Sequence, residues 1–503
     1  MRSLIFYIAI SGWAVLNGLT SFAHPPAFML ANTIQSNMVV QQGKPFKIWG
    51  FAASGTSIAV QADWMAKPQS VRAGENGQWL TAIPVPKVSA GNFTPHTIKV
   101  VSGKDSIVLS NVLIGEVWIC GGQSNMDMEL KPFYPWLRGV VNFEQEINNA
   151  NYPAIRLYNV RTDFKAEPQA DCINGAWNIC TPATAKDFSG VAYFFGRELL
   201  QKLNLPVGLV VSSVGGSSCQ AWTSRAAMEA DKELQQKYLY PYDTSALPKQ
   251  PLDSVVTFEK VVRPMLFYNA MIHPLRNISV RGFLWYQGES NRMERASYTR
   301  LTTAMIRNWR ELFAQGDLPF YYVQVAPFKW EGDTTWTDYY AYFRESQNNI
   351  RFKSANAGMA VIMDLGEADD LHPRNKQQVG IRLARQALAR NYGIAANWRG
   401  PEYKSIRIEG AIIKVSFQAG STGSGLTTSD EQPILHFYVA GADRKFYPAT
   451  ATVHGNEVWV RSASVNTPVA VRYAFTNYPV TNFCNKEGLP AIPFRSDNWP
   501  EHP

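Results

Sequence analysis

The chain has 503 residues, of which 46% are apolar and 17% are charged, so it can bury a large core and is not intrinsically disordered. At roughly 150 residues per domain its length suggests about three domains. Lysine and arginine number 48 against 40 aspartates and glutamates, a formal charge of +8. These basic residues form no block and no regular stripe, so binding of nucleic acid is not predicted.

The first 23 residues have the pattern of a secretory signal peptide. A basic Met1-Arg2 start precedes an apolar run from Leu4 to Val15, and the small residues Ser21 and Ala23 form a plausible cleavage site. The apolar run is too short to cross a bilayer. We expect cleavage after Ala23 and a periplasmic or extracellular protein with no membrane span; a retained anchor is the alternative.

Three segments of different texture follow. Residues 24–112 contain short alternating apolar runs between Gly, Pro and Asn turns, which predicts an N-terminal β-domain resembling a sandwich. Residues 113–398 alternate apolar strands with longer helical stretches, which predicts an α/β domain whose parallel sheet has helices on both faces. Short strands return in residues 399–503 and predict a C-terminal β-domain.

The middle segment alternates predicted strands and helices. Its predicted strands cover residues 117–119, 155–158, 208–211, 282–286, 320–325 and 359–363, and its main helical stretches cover 191–203, 298–313 and 377–390. Reactive groups of open parallel sheets collect at the carboxyl ends of the strands. The residues that follow each strand are therefore the candidate site.

The first strand runs into Gly121-Gly122-Gln123-Ser124-Asn125-Met126. Two glycines allow a tight turn, and a serine N–H at the start of the following helix lies where partial positive charge favours an oxyanion. Ser124 is therefore a candidate nucleophile. The alternative is an ordinary glycine turn in which Ser124 or Asn125 caps the helix.

Two later strands also end in polar or glycine-rich turns. Gly215-Gly216 follows the third strand and could present a backbone N–H to a developing negative charge, although glycine pairs commonly form simple turns. Gln287, Glu289, Ser290 and Asn291 follow the fourth strand. Such a polar cluster after a buried strand needs partners; Gln287 could donate its amide to an oxyanion, and Glu289 could orient a histidine or hold a substrate hydroxyl. A helix-capping loop is the alternative.

A base for the serine is found by elimination among seven histidines. Five lie at the mature termini or in the β-rich flanks, which leaves His273 and His372. His273 precedes a proline with no acid nearby and suits a structural role. His372 follows the last strand, and Asp369 stands three residues before it, so that a carboxylate can orient one ring nitrogen and free the other to take the serine proton.

The five cysteines are Cys120, Cys172, Cys180, Cys219 and Cys484. In an exported protein Cys172 and Cys180 are the best candidates for a disulfide, and the odd count leaves at least one thiol unpaired. No His/Cys cluster has the spacing of zinc ligands, so we predict no metal and no cofactor.

The order of the candidate residues excludes an α/β-hydrolase, because Met126 stands where G-x-S-x-G needs its last glycine. The segments 122–126, 215–216, 285–291 and 370–373 together resemble the sialate O-acetylesterase family of SGNH-type esterases. Residues 37–41 and 77–79 resemble the family's N-terminal β-domain, and 488–495 its C-terminal end. The resemblance implies a flavodoxin-like SGNH-hydrolase three-layer α/β/α catalytic domain flanked by N-terminal and C-terminal β-sandwich-like domains.

The resemblance also implies roles for individual residues. Ser124 would be the nucleophile and His372 the general base, while Ser124 N–H, Gly216 N–H and the Gln287 amide would form the oxyanion hole. The wider superfamily has Asn where this chain has Gln287.

The third catalytic residue is open among Asp369, Asp370 and Glu289, and we favour Asp369. Some relatives work as a dyad. Glu289, Asn291 and Asp370 are further candidates for an acid or a substrate contact.

The substrate that this resemblance implies is an O-acetylated sialic acid, whose acetyl group would leave as acetate. An esterase for acetylxylan or another glycan is the nearest alternative, and a non-catalytic glycan-binding protein is the alternative of a different class. Arg292, Arg295 and Arg374 lie near the candidate site in sequence. They could pair with a sialate carboxylate, although arginines in such loops are more often solvated or cap helices.

Overall fold

The structure, a computed structural model, describes residues 28–501; the predicted signal peptide, residues 1–23, lies outside them. The N-terminal part is built from short strands whose alternate side chains are buried, as in the strand of residues 78–83. These strands are β1 (Met29–Leu30), β2 (Val39–Gln41), β3 (Phe46–Phe51), β4 (Ser57–Ala62), β5 (Gln69–Arg72), β6 (Gln78–Ile83) and β7 (His96–Ser102). β1, β3 and β6 form one antiparallel sheet, and β4 pairs with β5 and β7.

The central sheet carries the candidate site. Its strands are β8 (Asp105–Gly122), β9 (Tyr152–Asn159), β10 (Trp177–Cys180), β11 (Val207–Ser213), β12 (Gly282–Tyr286), β13 (Phe320–Val323) and β14 (Ala357–Ala360). They lie in the order β10-β9-β11-β8-β12-β13-β14, and every neighbouring pair is parallel except β10 with β9. After β8 the chain forms β9, β10 and β11 on one side of it and then crosses to β12 on the other side. The strand order therefore reverses at β8, where such sheets bind ligands.

The strand order departs from that of flavodoxin. Counting only the parallel strands in chain order, the observed spatial order is 2-3-1-4-5-6, whereas flavodoxin has 2-1-3-4-5. The difference arises because β9 pairs with β11 and lies outside it instead of beside β8. The sequence could not predict this, since the pattern of apolar runs carries strand type and not strand neighbours.

Helices cover both faces of the central sheet, which confirms the predicted mixed α/β character. The helices are α1 (Ser124–Asp127), α2 (Phe143–Asn148), α3 (Pro182–Ala185), α4 (Gly190–Leu203), α5 (Arg225–Glu229), α6 (Lys232–Leu234), α7 (Tyr240–Asp243), α8 (Phe258–Val261), α9 (Ala296–Phe313), α10 (Tyr339–Lys353) and α11 (Lys376–Asn391). Leu284 of β12 packs in the core with α4 and α11. Its neighbours Phe283 and Trp285 point to the opposite core with α9 and α10, as strand alternation requires.

The C-terminal part is again made of short strands. They are β15 (Tyr403–Glu409), β16 (Ile412–Phe417), β17 (Leu426–Thr428), β18 (Phe437–Ala440), β19 (Phe446–Pro448), β20 (Thr450–His454), β21 (Glu457–Arg461), β22 (Ala470–Tyr473), β23 (Phe483–Asn485) and β24 (Phe494–Arg495). Two four-stranded sheets and one pair result, in the orders β15-β16-β21-β20, β19-β18-β22-β24 and β17-β23.

Strand β8 joins the first two parts without a break. Its first half pairs with β7, its middle with β2, and only residues from Glu116 onward pair with β11 in the central sheet. The predicted boundary between residues 112 and 113 therefore falls inside a continuous strand. The strand that pairs with the N-terminal sheet is therefore the same strand that ends at the Gly122 turn before Ser124.

All five cysteines are free and buried, which corrects the expectation that Cys172 and Cys180 form a disulfide. The physical reason is the sheet itself. Cys172 packs in the core on one face, with Trp177, whereas Cys180 packs in the core on the other face, with Ala185. Closeness in sequence suggested the pair, but opposite faces of a sheet keep the two sulfurs apart.

Within residues 28–501 no helix has both the length and the apolar character needed to cross a membrane. Many large apolar side chains pack instead in the cores against the sheets.

The thiol arrangement has a direct test. Burial raises the pKa of Cys180 and Cys219 to about 12 and that of Cys484 to about 11, and only thiolates react readily. We expect negligible reaction of the native protein with Ellman's reagent at neutral pH. After denaturation without reductant, five thiols per chain should react, and prior reduction should not change that number. A count of three thiols before reduction would show that one disulfide is present after all.

Candidate active site

Ser124 lies at the carboxyl end of the central strand, as predicted. β8 ends at Gly122, whose φ is +148°, and a side-chain carbon there would lie 2.2 Å from the Tyr286 carbonyl oxygen. Only glycine therefore lets β8 turn this close to β12. Ser124 is the first residue of α1, and an N–H at that position has no acceptor within its own helix.

His372 reaches this serine from the loop between β14 and α11. Its Nε2 lies 2.9 Å from Ser124 Oγ, although the two residues are 248 positions apart in the chain. His273, assigned a structural role from the sequence, instead hydrogen-bonds through Nδ1 to the Gln169 carbonyl at 2.8 Å. The structure thus brings together the predicted pair of serine and histidine.

The acid beside the histidine is Asp370, which corrects the prediction of Asp369. Asp370 Oδ1 lies 3.3 Å from His372 Nδ1 and accepts the backbone N–H of His372 at 2.8 Å. Asp369 is exposed, and among the described residues it forms no ion pair with the ring. The tight turn explains the difference, because a carboxylate two residues back folds onto both the backbone and the ring of His372.

Asp370 is held ionised by its surroundings. Arg138 donates from Nε to Asp370 Oδ2 and from Nη2 to Glu367, both at 2.6 Å. Burial acts to raise the pKa of Asp370, but hydrogen bonds from His372 and Arg138 outweigh it and lower the pKa from 3.8 to about 2. Arg138 was not singled out in the sequence, since its loop is far from any strand end.

The glycine pair after β11 also reaches the serine. Gly215 and Gly216 line the same cleft as Ser124, and a side-chain carbon on Gly215 would lie 3.8 Å from Ser124 Cβ. Gly216 has φ of +73°, and its carbonyl accepts the Ser290 hydroxyl at 2.8 Å. Two predicted donors of backbone N–H, Ser124 and Gly216, therefore border one cavity.

Gln287 does not reach the cleft, which corrects its prediction as an oxyanion donor. Its side chain is fully buried, and its amide nitrogen donates to the Ser217 carbonyl at 3.2 Å and to Asn291 Oδ1 at 2.7 Å. Its carbonyl oxygen accepts the Tyr298 hydroxyl at 3.0 Å. Both amide hydrogens are thus committed to tying the loops after β11 and β12 together.

Asn291, predicted as a substrate contact, belongs to that same internal tie. Its Oδ1 also accepts the Cys219 N–H at 3.0 Å, and its amide donates to Gln220 and Glu294 at 3.1 Å each. The side chain is buried. The residue therefore fixes the backbone that follows Gly216.

A second buried network links the serine turn to the histidine loop. Asn125 donates to Glu289 Oε1 at 2.6 Å and to the Leu371 carbonyl at 3.1 Å, and its Oδ1 accepts from Lys376 Nζ. Glu289 borders the cleft, but among the described residues the ring of His372 pairs with Asp370 and not with Glu289. Glu289 therefore serves as a partner of Asn125.

Lys376 was missed from the sequence although a signal existed. It lies three and seven residues before Val379 and Leu383, which places a charged side chain on the apolar face of the helix. Its side chain is fully buried, and burial lowers its pKa from 10.5 to about 7, against the opposing effect of Glu289. A lysine on an apolar face is the sequence sign of such a buried network.

The cleft in front of Ser124 has a volume of about 530 Å³, a size that fits a small ligand. Aromatic side chains at its mouth are largely exposed, among them Phe133, Trp136 and Phe258. Arg292 lines the cleft with its guanidinium 4.0 Å from the ring centre of Trp330. A sugar-sized ligand can therefore meet flat apolar rings and one cation.

The arginines near the site separate into two kinds. Arg295 pairs with Glu501 at 2.7 Å, and Arg374 donates to the carbonyls of Gly139 and Val140. Arg292 donates to the Glu289 carbonyl at 3.3 Å, and no carboxylate pairs with it in the part of the chain that the structure describes. Its Nε is buried and has no hydrogen-bond partner there.

The arrangement supports nucleophilic attack on a carbonyl carbon. A hydroxyl hydrogen-bonded to an imidazole, with that imidazole oriented by a carboxylate, is the arrangement that activates serine. Backbone N–H groups at the start of α1 and in the glycine turn can stabilise the oxygen that becomes negative.

Comparison with known proteins points to one family. A family model described as carbohydrate esterase, sialic acid-specific acetylesterase, matches residues 114–389. The crystal structure of a carbohydrate acetylesterase from Xanthomonas citri is similar, with 34% identity and a TM-score of 0.82, over 94% of this chain and 100% of that one.

Curated relatives agree over nearly the full length. The sialate O-acetylesterase of Rattus norvegicus is 28% identical over 93% of this chain and 94% of its own length. The sialate O-acetylesterase of Homo sapiens is 29% identical over 94% of this chain and 94% of its own length.

The choice between the two neighbouring aspartates can be tested by turnover of p-nitrophenyl acetate. We expect Asp370→Asn to lower kcat by roughly a hundredfold or more, because the imidazole loses its orienting carboxylate. Asp369→Asn is the matched control and should stay close to the parent rate. Equal losses in the two variants would remove Asp370 from this role.

The same substitution has a predicted effect on stability. A lowered pKa means that the ionised Asp370 carboxylate stabilises the folded state at pH above about 4, and that this contribution is lost as the pH falls toward 2. Asp370→Asn should therefore unfold at lower denaturant concentration than the parent near neutral pH. The gap should narrow below pH 4 in urea titrations, and a gap independent of pH would contradict the ion pairs of Asp370.

Proposed function

Because the chain belongs to the sialic acid-specific acetylesterase family of carbohydrate esterases, we propose that it hydrolyses O-acetyl esters of sialic acids through a covalent acyl-enzyme. The chain is an esterase. The observation that carries the proposed mechanism is the distance of 2.9 Å between His372 Nε2 and Ser124 Oγ.

The first half of the reaction acylates the serine. His372 Nε2 takes the Ser124 proton while Oγ forms a bond to the acetyl carbon, and the carbonyl oxygen becomes negative. Ser124 N–H and Gly216 N–H stabilise that oxygen. The bond from the acetyl carbon to the sugar oxygen then breaks, and the sugar leaves as an alcohol that takes its proton from Nε2.

The second half releases acetate. Water gives a proton to Nε2 while its oxygen bonds to the acetyl carbon, and the bond to Ser124 Oγ breaks as Oγ regains the proton. Asp370 stays ionised throughout, in keeping with its low pKa of about 2, and stabilises the imidazolium that forms in each half.

Arg292 favours an acidic sugar as the substrate. A guanidinium that borders the cleft and lacks a carboxylate partner among the described residues is suited to the carboxylate of a sialic acid. A neutral sugar such as acetylated xylose offers it no charge. The exposed Phe133 and Trp136 suit the apolar face of either kind of sugar.

We take the central sheet and its helices to be an SGNH-type three-layer α/β/α domain, with sandwich-like β-domains before and after it. Residues 1–23 are proposed to direct export, so that the enzyme acts in the periplasm or outside the cell.

Removal of the nucleophile is the first test. Ser124→Ala should abolish release of acetate from p-nitrophenyl acetate, because no other hydroxyl is placed against His372 Nε2 among the described residues. Thr257→Ala, in the same cleft wall but with its hydroxyl hydrogen-bonded to the Lys260 N–H, is the control and should keep most of the activity. Undiminished turnover by the alanine variant at position 124 would refute the mechanism.

Arg292 provides the test of substrate class. A hydrogen bond to a charged group contributes about 1.5–3 kcal/mol, so Arg292→Gln should lower kcat/KM for O-acetylated sialic acid by roughly 10- to 100-fold. Turnover of uncharged p-nitrophenyl acetate should hardly change. Arg295→Gln, three positions along but paired with Glu501, is the matched control.

Two outcomes would point elsewhere. Faster release of acetate from acetylxylan than from O-acetylated sialic acid would favour the plant-glycan esterase. Binding of glycans without any ester turnover would favour a non-catalytic role.

A further inference from the structure

A second cavity lies at the edge of the central sheet, away from Ser124. β14 is the last strand of that sheet, and the cavity is enclosed between β14, α11 and the segments 398–400 and 489–492 of the C-terminal part. Its volume is about 200 Å³. None of the residues that line it borders the catalytic cleft.

The backbone of β14 offers hydrogen-bonding groups to this cavity. The carbonyls of Asn356 and Ala360 accept the backbone N–H groups of Phe320 and Gln324. The even-numbered residues of β14 therefore direct their N–H and C=O groups toward β13. The residues of odd number therefore face outward, because successive residues of a strand point their N–H and C=O groups to opposite sides.

Two of the outward carbonyls are capped by arginines. Arg390 Nη1 donates to Ala357 and Arg382 Nη1 donates to Val361, each at 2.9 Å. The register leaves the N–H and C=O of Met359 between these two guanidinium groups on the outer edge. The edge strand thus presents a backbone N–H between two cations.

The lining is strongly positive. Four arginines border the cavity, namely Arg351, Arg382, Arg390 and Arg399. No acidic residue is among the described residues that line it.

Neighbouring carboxylates neutralise only part of this charge. Glu402 pairs with Arg351 at 2.7 Å and with Arg399 at 3.3 Å, and Asp364 pairs with Arg382 at 2.6 Å. Arg390 has no carboxylate partner among the described residues and lies against the rings of Tyr321 and Trp398. Four guanidinium groups against two carboxylates leave two positive charges around one small cavity.

A buried polar atom without a partner belongs to the same lining. Arg382, which is 4% exposed and lines the cavity, has an Nε with no hydrogen-bond partner in the described chain. Buried polar groups are normally satisfied, so this N–H is left for a ligand.

We propose that this cavity binds a small anion, a carboxylate or a tetrahedral oxoanion such as phosphate, between the edge strand and the C-terminal part of the chain. The excess positive charge, the outward Met359 N–H and the planar guanidinium groups recognise oxygen atoms that carry negative charge. About 200 Å³ is below the range of roughly 300–1,000 Å³ for drug-sized ligands, which excludes an oligosaccharide.

Binding at this place would join two parts of the chain. The arginines come from α10, α11 and the segment after α11, while Leu489, Pro490 and Ile492 close the cavity from the C-terminal side. An anion that binds only the folded state raises its stability by mass action. A bound anion would therefore hold the C-terminal part of the chain against the edge of the central sheet.

The experiment measures binding and unfolding with chosen probes. Sodium phosphate, sodium acetate and sodium chloride are titrated at constant ionic strength into the whole protein, with calorimetry for Kd and the thermal midpoint for stability. Phosphate or acetate should bind and raise the midpoint above that in chloride, and the stronger of the two identifies tetrahedral or planar chemistry.

Variants assign the effect to the cavity. Arg390→Gln and Arg399→Gln, on different walls, should each weaken the Kd at least tenfold and remove the rise in midpoint. Arg385→Gln on α11, which does not line the cavity, is the matched control and should bind like the parent. Turnover of p-nitrophenyl acetate reports that each variant is folded. Anion binding that is absent in the parent, or equal in parent and both cavity variants, would overturn the proposal.

Discussion

The geometry of the candidate active site depends on one buried amide, Asn125, which fixes the serine turn to the histidine loop. Asn125 reaches Glu289 after β12, the Leu371 carbonyl beside His372, and Lys376 at the start of α11. Three separate chain segments therefore share one side chain. A buried polar group without its partners is costly, so the three segments hold a single arrangement, and the distance from Ser124 to His372 follows from it.

The charges in this network modify each other. Burial raises the pKa of Glu289 and lowers that of Lys376, while the attraction between the two groups opposes both changes. The hydrogen bonds of Asn125 to Glu289 and Lys376 hold both side chains beside the Ser124 turn. The exposed side of the site differs, because there Arg138 and Asp370 form an ion pair that keeps the acid of the site ionised.

The corrections to the sequence prediction have a common cause. Asp369 and Asp370 are equivalent in a sequence pattern, and only the turn that folds Asp370 onto the N–H of His372 separates them. Gln287 has the right chemistry for an oxyanion donor, but its two amide hydrogens are used by Ser217 and Asn291. Cys172 and Cys180 are near in sequence, yet they lie in cores on opposite faces of the sheet. In each case the sequence predicted the chemistry of the side chain but not the group that the side chain contacts.

The sequence alone determined the six parallel strands of the central sheet, three of its long helices, the glycine turn at Ser124 and the choice of His372, because apolar periodicity and the ends of strands are local features. Tertiary structure decided the strand order, the choice of Asp370, the burial of Lys376 and the free cysteines. It also decided the cavity at β14, whose arginines are scattered over some fifty residues of sequence. These features depend on which segments become neighbours, and long-range contacts leave no regular mark on the order of residues.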